Sequence, residues 1–233
     1  MELTKEIKEF LLEQGADLVG VAAAESLNGA PEGHRPTDYL PGARSVISFA
    51  YALNRGAVSE LPKSRNEYML EFEQANAFLN SLGHRGARFL ERKGFTSIAF
   101  PATDSIGDAA RLKGDLSIKH AAVAGGLGLF GLNNLVLTPQ FGSRVRLGAI
   151  VTEAELIPDK PLEENPCDRC GKCIKSCPVN ALRGWKDTYS PREGWSMDKE
   201  KCYHYIFVRL AGKRCGMCIA SCPASNGKQS PFG

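Results

Sequence analysis

Residues 167–178 read CDRCGKCIKSCP, and residues 202–223 read CYHYIFVRLAGKRCGMCIASCP. All eight cysteines of the 233-residue chain fall in these two stretches. The first set is spaced Cys167-x2-Cys170-x2-Cys173-x3-Cys177 and closes on Pro178. The second, Cys202-x12-Cys215-x2-Cys218-x3-Cys222, repeats it with the first gap stretched and closes on Pro223. Two residues between cysteines let a tight turn aim successive sulfurs at neighbouring points. Gly171 and Gly216 keep those turns uncrowded. Each Pro turns the chain away after the fourth thiol, because it cannot continue a helix.

Three cysteines at x2 spacing followed by Cys-Pro form the run of bacterial ferredoxins, in which the fourth cysteine ligates the other of two [4Fe–4S] cubanes. Eight thiolates are the right number for two cubanes, and two neighbouring clusters can pass single electrons. Carried over from that pattern, one cluster takes Cys167, Cys170, Cys173 and Cys222. The other takes Cys202, Cys215, Cys218 and Cys177. Structural zinc usually sits on two separated Cys-x2-Cys pairs, and disulfide frameworks belong to small secreted domains. Both match this chain poorly. A cubane serving only as structural glue stays open.

The length fits one or two domains and suffices to bury a core without disulfides. Apolar residues make up 43% and charged residues 24%, as in an ordinary soluble globular protein. The net charge of +3 is mild, so nucleic acid, which calls for a clustered basic face, is not expected as a partner. No apolar stretch nears the roughly 20 residues that span a bilayer. The start, MELTKEIKEFLLEQGADLVGV, reads as an amphipathic helix rather than a signal peptide. The expectation is a cytoplasmic protein with no membrane partner.

Leu3, Ile7, Phe10 and Leu11 recur at helical spacing, so 3–14 read as helix, ended by Gly15. Strands are expected at 17–25, 45–53 and 97–102, and a loop at 28–42. A long helix is expected over 65–93, with Gly83 and Gly86 as candidate interruptions. Residues 117–124 read as helix, and LVLT (135–138) and VRLGAIVT (145–152) as strands. Helices alternating with strands imply an α/β or α+β domain. The Pro- and charge-rich 157–166 then leads into a ferredoxin-like module with an insert at 183–201. The expected division is 1–156 and 157–233.

Gly125, Gly126, Gly128 and Gly131 fall within seven positions after a helix-like stretch. Glycines let backbone approach a large ligand closely, or mark a helix end and tight turn packed on a sheet. The segment is neither a Walker A loop nor a Rossmann loop. The stretch HAAVAGGLGLFGLNNLVLTPQFGSRVRLGAIVTEAELIPDKPL, followed by the paired cysteine runs, resembles the epoxyqueuosine reductase and reductive dehalogenase superfamily. The likeness covers about 97–225. It implies a nitroreductase-like, corrinoid-binding α/β domain joined to a ferredoxin-like domain with two [4Fe–4S] clusters. It further implies that electrons pass through the clusters to a base-off corrinoid (cobalamin), which cleaves a small organic substrate reductively. In that picture Gly126, Gly128, Gly131, Asn133 and Thr138 belong to the corrinoid pocket. The chain is shorter than either group and lacks the helical C-terminal domain expected of epoxyqueuosine reductases, so tRNA is not the expected substrate. Partners are then a small-molecule substrate or a separate corrinoid protein, and a low-potential donor of ferredoxin or flavodoxin type. The nitroreductase-like fold also commonly carries a flavin, which is the second cofactor reading.

Single residues follow from the same reasoning. Asp104 stands where epoxyqueuosine reductases have an acidic residue taken as proton donor; a turn or N-cap role competes. Asp115 is the alternative, and Tyr51, Tyr68 and Tyr203 are donors by type alone. His120 reads as a cofactor contact or as a helical histidine packed under a loop. Arg144 and Arg146 alternate on a strand, so they share a face that could hold an anion or a corrinoid side chain. Lys213 and Arg214 beside Cys215 would raise a cluster's potential and could dock an acidic donor.

Overall fold

The computed structural model describes residues 2–103 and 112–226. The chain forms two compact units, each built from three stretches. One holds Met1–Tyr51, Ala75–Leu127 and Arg146–Leu162; the other holds Ala52–Gln74, Gly128–Val145 and Glu163–Gly233. The expected cut after 156 lies close to the last of these crossings. Two earlier stretches, 52–74 and 128–145, also join the cysteine-rich unit.

The first unit is built on a four-stranded sheet in the order β1 (Leu18–Ala23), β2 (Ser45–Ala52), β6 (Val145–Thr152), β3 (Ser97–Phe100). β1 pairs with β2, and β3 with β6, antiparallel. Side chains alternate between the faces of a strand, and here both faces are covered. On one face Val21, Ile47, Phe49 and Ile150 meet Ile7 and Leu11 of α1 (Glu2–Glu13) and Leu79, Leu82 and Leu90 of α2 (Arg65–Arg92). On the other, Val46, Phe100, Ala149 and Val151 meet Leu27, Leu40 and Ala121, the last on α3 (Ile118–Ala124). Double coverage explains why β2 reads as an unbroken apolar run rather than an alternation.

α2 runs unbroken through Gly83 and Gly86, against the expected interruption. Their missing side chains admit neighbours instead. A Cβ on Gly86 would stand 2.6 Å from Ile150 Cδ1, and one on Gly83 3.2 Å from Phe49 Cζ. Strand β1 ends at Ala23 and tightens into a short 3₁₀ turn over Ala24–Leu27.

In the cysteine-rich unit the glycine-rich stretch contributes half of a small hairpin, β4 (Leu129–Phe130) against β5 (Val136–Leu137). Of the expected strand 135–138, these two residues form the strand proper. A Thr138–Gly142 bridge continues the ladder. The expected insert contains Trp195, buried beside Leu132, Leu182 and Cys173. The second cysteine run holds a helix, Lys199–His204, that passes into a π turn over Tyr205–Arg209.

Gly20 tests the first unit's packing. A Cβ there would lie 2.2 Å from the Gly125 carbonyl oxygen, whereas one on Gly29 would meet nothing within 4 Å. Backbone cannot yield as a side-chain tip can, so Gly20→Ala is expected to cost roughly 1–3 kcal/mol of stability. Gly29→Ala should leave the urea unfolding midpoint nearly unchanged.

Candidate metal centre

The two cysteine runs build the same local structure twice. Gly171 and Gly216 adopt the left-handed region, φ 71° and 68°, and each opens a one-turn helix, Lys172–Lys175 and Met217–Ala220. A residue with a Cβ pays strain there. Cys170 precedes Gly171 and Cys215 precedes Gly216, while Cys173 and Cys218 lie within the turns. The runs meet through the serine that precedes each final cysteine: Ser176 Oγ and Ser221 Oγ are 2.8 Å apart. Ser176 Oγ also approaches the Met217 carbonyl at 3.3 Å.

Side-chain oxygens fix the ligand backbone elsewhere. Asn165 Oδ1 accepts from Cys167 N–H at 3.0 Å, and Asp168 Oδ1 from Cys170 N–H at 3.0 Å. Ala181 N–H donates to Cys177 Sγ at 3.3 Å. Arg65 Nη1 donates to the carbonyl oxygens of Arg214 and Cys215.

All eight cysteines are free thiols, from buried Cys173 and Cys222 to exposed Cys170. Their mutual influence sorts them into two sets. Burial pushes the Cys173 thiol up to about 12, and Cys167, Cys222 and Cys170 push the same way. Burial pushes Cys202 up to about 11, followed by Cys215 and Cys177. Cys218 is raised by burial and then by Cys215, Cys202, Cys173 and Cys177. These neighbourhoods follow the quartets read from the spacing, with Cys173 beside Cys218 as a contact between the two sets. Among the described residues no three His, Cys, Asp or Glu side chains close on a point suited to one metal ion. A cubane instead takes one sulfur at each of four separated corners. Thiols gathered in fours, several of them held back from ionising by burial, fit such a cluster, whose iron supplies the positive charge that thiolates need.

The residues assigned to a corrinoid each have close neighbours within their own unit. A Cβ on Gly126 would meet the Lys160 carbonyl oxygen at 2.5 Å, on Gly128 the Leu137 carbonyl oxygen at 2.2 Å, and on Gly131 Leu137 Cδ1 at 2.6 Å. The chain itself fills these places. Asn133 Oδ1 accepts from Leu135 N–H at 3.2 Å, and its amide donates to the Cys218 carbonyl at 3.4 Å. Thr138, fully buried, accepts from Phe141 N–H at 3.1 Å. Arg144 donates to the carbonyls of Leu53 and Ser225, in the cysteine-rich unit. Arg146, in the sheet unit, donates to Asn76 at 3.0 Å and Thr103 at 2.7 Å. His120 Nδ1 lies 2.6 Å from Ser117 Oγ, at the start of its helix.

Asp104 lies outside the described residues. The Asp115 carbonyl is 3.0 Å from His34 Nδ1. Tyr51 packs on Phe78, Tyr68 is buried, and exposed Tyr203 lies tilted against Phe207 with ring centroids 4.4 Å apart. Arg65, Asn165 and Trp195 escaped sequence reasoning. Arg65 lies 150 residues from Cys215 with no motif to link them. The matched pair Ser176 and Ser221 was visible as the same letter at the same place in both runs.

A 4Fe–4S dicluster domain model matches residues 166–226, which include all eight cysteines. An epoxyqueuosine reductase of Bacillus cereus is 28% identical over 175 residues, 73% of this chain and 42% of the relative. A tetrachloroethene reductive dehalogenase of Desulfitobacterium hafniense is 27% identical over 212 residues, 84% of this chain and 35% of the relative. The chain thus spans less than half the length of these curated relatives. Two solved structures share the fold. An epoxyqueuosine reductase bound to an epoxyqueuosine-modified tRNA-Tyr stem loop has a TM-score of 0.65 at 22% identity, covering 100% of this chain and 68% of its own. A reductive dehalogenase described with a mechanism for B12-dependent dehalogenation has a TM-score of 0.74 at 23% identity, covering 97% and 32%. Among the described residues no helix is long and apolar enough to cross a membrane.

Removing one thiol tests the quartets. Cys170→Ala should lose about half of the bound iron and leave one cubane spectrum. Retention of all the wild-type iron would contradict the assignment.

Proposed function

From a chain that belongs to the superfamily of the epoxyqueuosine reductases and reductive dehalogenases, we infer an iron–sulfur oxidoreductase that feeds single electrons to a corrinoid for reductive cleavage of a small organic substrate. The observation that carries the reading is the sorting of eight free thiols into two quartets inside the dicluster segment. In this reading residues 157–233 carry the electrons and residues 1–156 serve the corrinoid.

The chain's own part in the chemistry follows from its geometry. The left-handed glycines and the Ser176–Ser221 bond hold the two cysteine runs together. The apolar shell of Leu132, Leu182 and Trp195 excludes water from the Cys173 side, and low solvent access is one determinant of cluster potential. When bound, the clusters supply one-electron transfer, and a corrinoid supplies a strongly reducing cobalt centre. Asp104 is the residue proposed to hold the proton for the product.

A second reading has its own support. The side chains assigned to the corrinoid are already bonded within the chain, and the places beside its glycines are taken by backbone at Gly126 and Gly128 and by the Leu137 side chain at Gly131. Delivery of electrons to a corrinoid held by a partner protein fits the same relay. Nucleic acid also stays within reach as a substrate carrier, because a structural neighbour holds a tRNA stem loop.

Anaerobic titration of cob(II)alamin into the iron-reconstituted chain separates these readings by EPR. A base-on to base-off change saturating near one per chain is the result expected of a corrinoid enzyme. An unchanged cobalt signal, with the cluster signals intact, would remove the resident corrinoid and favour delivery in trans or a flavin.

A further inference from the structure

The two thiol quartets sit in unequal electrostatic surroundings. Around Cys170 stand the Asp168 carboxylate, which accepts that residue's N–H, and the cations of Arg169 and Lys172. All three are exposed, so water and salt screen them. Beside Cys173 lies Trp195, buried to 7% exposure, whose indole N–H has no hydrogen-bond partner. This is a neutral donor in an apolar shell.

The other quartet is flanked by cations. Arg65, in the first turn of α2, is half-buried and donates to the carbonyls of Arg214 and Cys215. Arg214 directly precedes Cys215. Its guanidinium is held between the Phe72 and Phe207 rings, 4.7 and 5.0 Å from their centroids. Its Nε is buried without a hydrogen-bond partner. Arg65 thus spends its hydrogen bonds on backbone carbonyls, and the Arg214 guanidinium lies between aromatic rings. Half-buried cations lose hydration, and an unpaired buried N–H costs stability. An anionic group beside Cys215 relieves both costs. A cubane on four thiolates is such a group, and one-electron reduction makes it more negative still.

We propose that Arg65 and Arg214 hold the cluster of Cys202, Cys215, Cys218 and Cys177 at a higher potential than the cluster of Cys167, Cys170, Cys173 and Cys222. Nearby positive charge and hydrogen bonds to the cluster raise its potential, and half-buried cations act more strongly than a screened carboxylate. The chain then carries a built-in direction. One electron leaves the lower-potential cluster, which is oxidised, and enters the higher, which is reduced; no bond or proton changes place. The proposal rests on the two-cluster reading above. Arg65 and Arg214 are positioning residues, since they act through the cluster.

The test is an anaerobic potentiometric titration followed by EPR, on reconstituted chains that keep one cluster each. Cys170→Ala keeps the Cys215 cluster, and Cys215→Ala keeps the Cys170 cluster. The midpoint is expected to be higher in Cys170→Ala. Adding Arg214→Gln or Arg65→Gln to Cys170→Ala should lower it, while Trp195→Phe should lower the midpoint of Cys215→Ala. Iron content is read alongside, and if one arginine variant loses its cluster, the other gives the shift. Equal or reversed midpoints, or an arginine variant that keeps its cluster at an unshifted potential, would overturn the proposal. An unmutated chain that binds the iron of only one cluster would instead remove the two-cluster reading.

Discussion

Bringing eight sulfurs to two quartets is the constraint on which the cysteine-rich unit depends. Beyond the start of α2, that unit contains little regular structure: two-residue strands, short helices and a π turn. Its thiols resist ionisation where they are buried, most clearly Cys173 and Cys202. Burial of the thiolate form is therefore unfavourable without a counter-charge, and iron supplies one. The protein's own contribution is geometric. Left-handed Gly171 and Gly216 turn the ligands inward, and the 2.8 Å Ser176–Ser221 contact fastens one run to the other.

Distant stretches complete the same unit. Ser225, three residues past Cys222, lies 3.0 Å from Ser143 Oγ and accepts Ser143 N–H at 3.1 Å. Gly142, at φ +56°, comes so close to Ala224 that a Cβ would stand 2.4 Å from its carbonyl carbon. The FGSR segment is thus explained by backbone contact with the end of the second cysteine run. The sheet unit needs no such ligands, because apolar layers on both faces of β2 and β6 supply a conventional core.

What was legible in the sequence is what acts locally. Cysteine spacing reports on turns a few residues long, and it pointed to the 4Fe–4S dicluster domain that matches residues 166–226. Periodicity located α1, α2 and the long strands, whose lengths exceed the reach of any one contact. The glycine-rich stretch is ambiguous in a physical way. A glycine required by a ligand and a glycine required by Leu137 or Lys160 backbone are the same letter, and only the fold separates them. Arg144 and Arg146 show the same limit, since strand alternation gives direction but not partner. Arg65 and Trp195 were illegible because their relation to the thiols is tertiary.

The EPR spectrum of the fully reduced, iron-reconstituted chain tests the paired clusters most directly. Two neighbouring cubanes should give about two spins per chain and a spectrum broadened by magnetic interaction between them. A single unbroadened cluster signal integrating to one spin, or zinc as the bound metal, would contradict it.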